Sequence, residues 1–280
     1  MLTTISQAMA LPADTLVDSY HINADPTSKT LDDNITDITY PLDNGKHLGR
    51  PSHGLGDLDK LPVELQNAIL VQSDLRTLTD FRRVNRWAME VVDTMLEYQS
   101  IVQHSSASLR AILSTELGTF ITCQKLYDTL CAEKCECCRQ PADFIYLLTC
   151  SRVCLKCLCW RIKYCPITTD DAVRLYAVPS RLLAELPTIR SVPGHFGIRK
   201  TAYVDRRLLV DAWSAYSVAI AHWGESRVVY RARYYSDPYA VPLPSIDPPM
   251  TVPCQWYPEP NRFMATIRAP WVQDQERKRS

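Results

Sequence analysis

Residues 58–98 read LDKLPVELQNAILVQSDLRTLTDFRRVNRWAMEVVDTMLEY, and the spacing of the apolar positions in this stretch decides the fold class. Leu61, Leu65 and Ile69 recur every four residues, which places them on one helical face. Pro62 stands where a first-turn proline is harmless, because no intrahelical N–H bond is lost there. Ser73 is the expected N-cap of a second helix, along which Leu75, Leu78 and Phe81 recur every three residues. Trp87, Val91 and Met95 mark a third helix from about Arg86. Three such short helices are not stable alone, so they must pack on one another and on something further.

Working outward, residues 1–57 carry eight aspartates against three Lys/Arg and few large apolar clusters. They read as a disordered acidic leader, with Ile35, Ile38 and Tyr40 as the one candidate docking stretch inside it. Downstream, Ser108 to Leu113 and Phe120 to Leu130 are expected helices. The pattern around Leu208, Leu209, Trp213 and Tyr216 predicts one long helix over 206–223, ended by Gly224. Phe263, Ile267 and Trp271 are expected to pack back onto the body. The resulting division is leader 1–57, helical module 58–98, helices plus a cysteine-rich segment 99–165, and a helical and irregular body 166–280. The fold class is mostly α, with a small zinc-stapled β element.

Ten of the eleven cysteines fall between Cys123 and Cys165, and residues 131–160 read CAEKCECCRQPADFIYLLTCSRVCLKCLCW. Cys135 and Cys138 form one CxxC pair, and Cys154 and Cys157 form another after fifteen intervening residues. Each pair lets two thiolates converge from one turn, and two pairs supply a four-sulfur site for zinc. The apolar run from Phe144 to Leu148 has the length of a hairpin strand or a treble-clef-like loop, which sets both knuckles at one end. Cys137 and Cys150 are alternative ligands, whereas Cys123, Cys165 and Cys254 read as small buried hydrophobes. None of the six histidines lies in the cluster, so the site reads as structural rather than catalytic.

The sequence also excludes classes of function. Formal net charge is zero, and the basic residues near the cysteines, such as Lys156, Arg161, Lys163, Arg139 and Arg152, form no extended basic surface, which argues against nucleic acid as a partner. Residues 1–11 lack the pattern of a secretory signal and no apolar run reaches membrane-spanning length, so a location in cytoplasm or nucleus, without secretion or a membrane partner, is expected. No phosphate-binding glycine loop, HExxH or GxSxG motif occurs, and the chain is expected to be no enzyme.

Residues 58–98 resemble an F-box, and the chain from there to about residue 223 is similar to the F-box proteins of filamentous fungi. Leu61, Pro62, Glu64, Leu65, Ile69, Leu70, Leu75, Leu78 and Phe81 carry the resemblance, with Arg83, Val84, Asn85, Arg86 and Trp87 behind them. It continues through Tyr98, Leu109-Arg110, the phrase LLTCSRVC at 147–154 with Cys157, Leu186-Pro187 and Pro193-Gly194. The resemblance implies a substrate-recruiting adaptor of a Skp-cullin-F-box ubiquitin ligase. Its docking residues on the Skp-type linker subunit would include Leu61, Pro62, Leu65, Ile69, Leu75, Leu78 and Phe81. Leu61, Pro62 and Leu75 are expected to lead that contact, while Leu65 and Trp87 read equally as internal packing. A scaffold that uses the same helices without directing ubiquitination is the alternative. Two departures stand out. Arg139 occupies the position where similar chains carry the glycine of CxxCG, and no further CxxC pair follows toward residue 280. No repeat platform follows the helices, so the protein substrate is unspecified.

Overall fold

The computed structural model describes residues 28–35, 53–229, 259–269 and 271–272. Helices α1 (Val63–Gln72), α2 (Leu75–Arg82) and α3 (Arg86–Thr94) follow in close succession, as the apolar spacing predicts. Pro62 lies just before α1, and its carbonyl accepts from the amides of Leu65 and Gln66. The cap of α2 differs from expectation. Asp74, not Ser73, accepts from the Thr77 amide at 2.8 Å, while the Ser73 hydroxyl donates to the Ile69 carbonyl at the end of α1. The aspartate wins because α2 begins one residue later, so its carboxylate is the group that overhangs the first turn. Asn85 caps α3 by accepting from the Ala88 amide. A buried Arg82 holds α2 to α3 through a two-point contact with Asp93, at 2.7 and 2.9 Å.

These helices do not form a separate module. Leu75 donates its amide to the Ile121 carbonyl, and the Cys123 amide donates to Ser73. The turn between α1 and α2 is thereby bridged to the start of α5 (Cys123–Cys131). This helix starts three residues later than expected, because Thr122 caps it with its hydroxyl and Phe120 stays outside the helix, exposed. Between them runs α4 (Leu96–Ser114), broken in conformation at Ser105, which supplies the buried Tyr98, Ile101, Leu109 and Ile112.

After α5 come hairpin strands β1 (Phe144–Tyr146) and β2 (Ser151–Val153), then α6 (Leu155–Trp160). The chain continues through β3 (Pro166–Thr168), α7 (Thr169–Tyr176), α8 (Ser180–Leu183), β4 (Thr188–Arg190), β5 (Gly194–Phe196), β6 (Thr201–Tyr203) and β7 (Leu208–Asp211). It closes with α9 (Ala212–Trp223), α10 (Glu259–Met264) and β8 (Thr266–Arg268). The single long helix expected over 206–223 is therefore a strand followed by a helix. Leu209 and Val210 lie in the middle strand of the β3–β7–β4 sheet, where Ile167 and Thr188 flank Val210 on opposite sides. A contiguous apolar run is ambiguous by period alone, and neighbours on both edges resolve it as strand. Asp211 then caps α9 by accepting from the amide and hydroxyl of Ser214, and Gly224 ends the helix as expected.

Two corrections concern the ends of the chain. Within the stretch read as leader, residues 28–35 belong to the body: Leu31 is fully buried and donates its amide to Thr266, and Asp32 accepts from the Arg268 amide. Ile35 packs against the same core, while Ile38 and Tyr40 lie outside the described residues. Near the other end, Phe263 and Ile267 are buried as expected, with β8 pairing β1 in the register Ile267 to Ile145. Trp271 is half exposed, its indole N–H donating to the Cys131 carbonyl at 3.1 Å. Two apolar clusters result. A large one joins α2–α6 to β1, β2, β8 and Leu31, and a smaller one joins α7, α8 and α9 to β3 and β7.

Candidate metal centre and docking face

The first knuckle is a tight turn closed at its base by a bridge between Lys134 and Pro141. The Cys135 amide donates to Gln140, and the Arg139 amide donates back to Cys135. The turn forces residue 139 to a φ of 62°. That is left-handed backbone, in which an L side chain costs about 1 kcal/mol or more and glycine does not. The missing glycine of the CxxCG pattern thus leaves the turn intact but strained. The Glu136 amide donates to the Arg152 carbonyl, which ties the knuckle to β2.

The second knuckle is the start of α6. Cys154 is its N-cap residue, with its sulfur accepting from the Cys157 amide at 3.5 Å. The order turn, hairpin, helix start brings the two pairs together at one end, as expected. The sulfurs of Cys135, Cys138, Cys154 and Cys157 all lie within 4.8 Å of one another, and Cys138 and Cys154 are 3.5 Å apart. A tetrahedral zinc with Zn–S bonds of about 2.3 Å sets its sulfurs about 3.8 Å apart, so the four residues present fit that ion. Two ligands are buried and two partly buried, with no histidine or carboxylate among them. Such a closed four-sulfur site holds fold rather than substrate, and zinc bound there would be structural.

The electrostatics of the four thiols agree. Cys135 accepts hydrogen bonds from the thiols of Cys154 and Cys157 and from backbone amides, which pulls its pKa far below the ordinary thiol range. Donating to Cys135 holds Cys154 up at about 11 and, with burial, pushes Cys157 far higher. The Cys135 thiolate forms readily, whereas Cys154 and Cys157 resist ionisation because their thiols donate to it. A divalent cation removes that conflict by drawing all four into the thiolate form.

The alternative ligands are placed elsewhere. Cys137 is exposed on the outside of the turn. Cys150 is buried 3.6 Å from the Thr129 hydroxyl, and burial pushes its thiol up to about 11. Cys123, pushed up to about 12 by burial, and Cys165 are core residues as expected. Cys254 lies outside the described residues.

Two buried arginines, to which the sequence reading gives no structural role, hold the centre in place. Arg152 of β2 donates to the carbonyls of Thr129 and Leu130 at the end of α5 and of Ala269, at 3.2, 2.8 and 2.7 Å. Arg262 of α10 donates to the carbonyl of Leu158 and, at 2.9 and 2.8 Å, to those of Arg161 and Tyr164. Each guanidinium thus donates to carbonyls at or just beyond a helix end, where positive charge meets the helix dipole favourably. Tyr146 of β1 links the centre to the second cluster by donating to the buried Asp211 carboxylate at 2.9 Å.

The residues assigned to linker docking divide into two sets. Leu65 and Ile69 are 52% and 47% exposed on α1, Pro62 is exposed, Leu61 is half-buried, and Val63, which the apolar spacing passes over, is 57% exposed. The inward face of α1 is carried by Gln66 and Leu70 instead. Leu75 and Leu78 are fully buried, and Phe81 packs partly against the same core. Leu75 therefore does not lead a contact surface: α2 is covered by the rest of the chain, so its apolar face is already spent on internal packing. Trp87 is partly exposed and donates to Asp59 at 3.2 Å.

No family model, curated protein or solved structure matches this chain. Function must therefore be argued from the residues and their placement. Among the described residues, no helix is long and apolar enough to cross a membrane.

Proposed function

We propose that this chain is a non-catalytic adaptor, docking through α1 and its approach onto a Skp-type linker subunit and offering the zinc-stapled body to a protein substrate. The observation that supports the reading is the outward apolar face of α1. Leu65 and Ile69 lie exposed on a helix that turns Gln66, Leu70 and in part Val71 inward, and Pro62 and Val63 are exposed at its start. An exposed apolar face of this kind is the usual mark of a protein contact. Leu61, Pro62, Leu65 and Ile69 occupy the positions that the F-box resemblance assigns to the linker. The reading places Leu75, Leu78 and Phe81 beneath the contact, where they hold α1 in position, and it needs no catalytic group.

The test is co-purification of the full chain with a recombinant Skp-type linker subunit, with zinc measured in the same sample. A stoichiometric complex that Leu65→Glu and Ile69→Glu abolish, while both variants stay folded, is the expected result. A monodisperse, folded chain that ignores the linker would sink the adaptor reading.

A further inference from the structure

We propose that the free edge of the β5–β6 hairpin takes up an extended acidic segment of a partner protein as a third strand beside β6. The hairpin is asymmetric. On the β5 side its backbone is met by the chain itself. Lys29 and Gly197 exchange two backbone hydrogen bonds, of 3.2 and 2.9 Å, and the Asn34 side-chain amide grips the carbonyl and amide of His195, both at 3.0 Å. Phe196, fully buried, anchors the hairpin to the core. On the other side, no strand pairs with β6 among the described residues. Thr201 and Ala202 are exposed there, and Val204, just beyond, is 81% exposed. Folded proteins usually blunt such an edge with a proline, a bulge or a covering helix, because unpaired backbone groups recruit another strand. Residues 201–204 contain no proline. On its other side the hairpin is met by a single bridge at Lys29, after which the segment turns into the 3-10 helix Asp32–Asn34.

The charge around β6 selects the occupant. Residues 195–207 hold Arg199, Lys200, Arg206 and Arg207 against the single acid Asp205, a formal excess of +3 (four minus one) in a chain whose net charge is zero. Arg199, Lys200 and Arg206 are exposed and meet no carboxylate among the described residues. Lys29, Arg76, Arg82, Arg174 and Arg190 are each paired with one. Arg207 lies over the Tyr203 ring at 4.8 Å, which fixes a further cation at the end of the strand. The cations thus bracket β6, and the six steps from Lys200 to Arg206 span at most about 20 Å of extended chain. The matching occupant is an extended segment of about eight residues with a carboxylate toward each end and an apolar side chain against Val204. Main-chain pairing would supply affinity and the bracketing charges would set selectivity. On the adaptor reading this is where substrate is held, and that consequence alone rests on it.

The experiment titrates the zinc-loaded full chain, without linker, into a fluorescein-labelled octapeptide with glutamate at both ends and a Val/Thr centre, read by anisotropy. Saturable binding is expected, weakened by about tenfold or more in the Arg199→Glu, Arg206→Glu double variant and by glutamine in place of both glutamates. Methylating alternate backbone amides of the peptide should remove binding to the unaltered protein, a readout that no misfolded variant can imitate. Absence of saturable binding, or equal binding of the methylated peptide, would overturn the proposal. So would a single-stranded oligonucleotide that displaces the peptide at lower concentration, since the cations would then serve phosphates. Binding of the peptide by a chain that fails to hold the linker would refute the adaptor reading and leave this site standing.

Discussion

Replacing Arg152 by alanine should destabilise the folded chain by about 3 kcal/mol. The side chain is 2% exposed and makes three charge-assisted hydrogen bonds, to Thr129, Leu130 and Ala269. Such bonds contribute roughly 1.5 kcal/mol or more each, and truncation removes all three, although the Leu130 carbonyl keeps the Val272 amide as a donor. Relief of the arginine's own desolvation offsets part of that loss, as does water entering the space, which brings the net to about 3 kcal/mol. Against a typical total of roughly 5–15 kcal/mol the effect is large. Urea unfolding of the zinc-loaded protein measures it as a shift of midpoint at unchanged slope. Hydrogen exchange supplies a local check, because the Val272 amide donates to Leu130 beside the lost contact and should exchange faster. Arg152→Lys should recover only part of the stability, since one ammonium cannot reach three divergent carbonyls. A loss under about 1 kcal/mol, or full recovery by lysine, would refute the view that this guanidinium pins α5 and residue 269 to the zinc hairpin.

Arg139→Gly should raise stability by about 1 kcal/mol by relieving the left-handed backbone at φ 62°, seen as a rise in melting temperature. The Cys154→Ser, Cys157→Ser double variant should bind no zinc by elemental analysis and lose thermal stability, as should the native chain under a chelator; full zinc content would show the ligand assignment to be wrong. Leu75→Ala should cost about 3 kcal/mol in urea unfolding, because the residue is fully buried. Leu65→Glu, on an exposed position, should change stability by no more than about 0.5 kcal/mol while abolishing linker capture. Reversal of that order would show that the faces of α1 and α2 have been exchanged.

Much of the local structure was legible because it is written in short-range chemistry. The periods of residues 58–98 produce α1, α2 and α3, Gly224 ends α9, and two CxxC pairs fifteen residues apart converge through the intervening hairpin. Spacing proposes Cys135, Cys138, Cys154 and Cys157 but leaves Cys137 and Cys150 open as alternatives; placement decides, because Cys137 is exposed and Cys150 is buried against Thr129. Strand and helix could not be separated at 206–223, because Leu208, Leu209 and Val210 fit either period until β3 and β4 occupy both edges.

By itself, the sequence determined a mostly helical chain with a four-cysteine metal centre, for turns, caps and knuckles are specified by neighbours a few residues away. Tertiary structure alone decided which apolar face is core and which is surface. Leu65 and Leu75 each sit on the apolar stripe of a helix, yet one is half exposed and the other sealed, because α3, α4 and residues 117–119 pack against α2 while the outside of α1 is left bare. It also decided that Leu31 joins the core and that Arg152 and Arg262 are buried. Their partners lie on elements brought in from distant parts of the chain: Thr266 for Leu31, Ala269 for Arg152 and Leu158 for Arg262. Burial is a property of what covers a residue, and no local pattern encodes the cover.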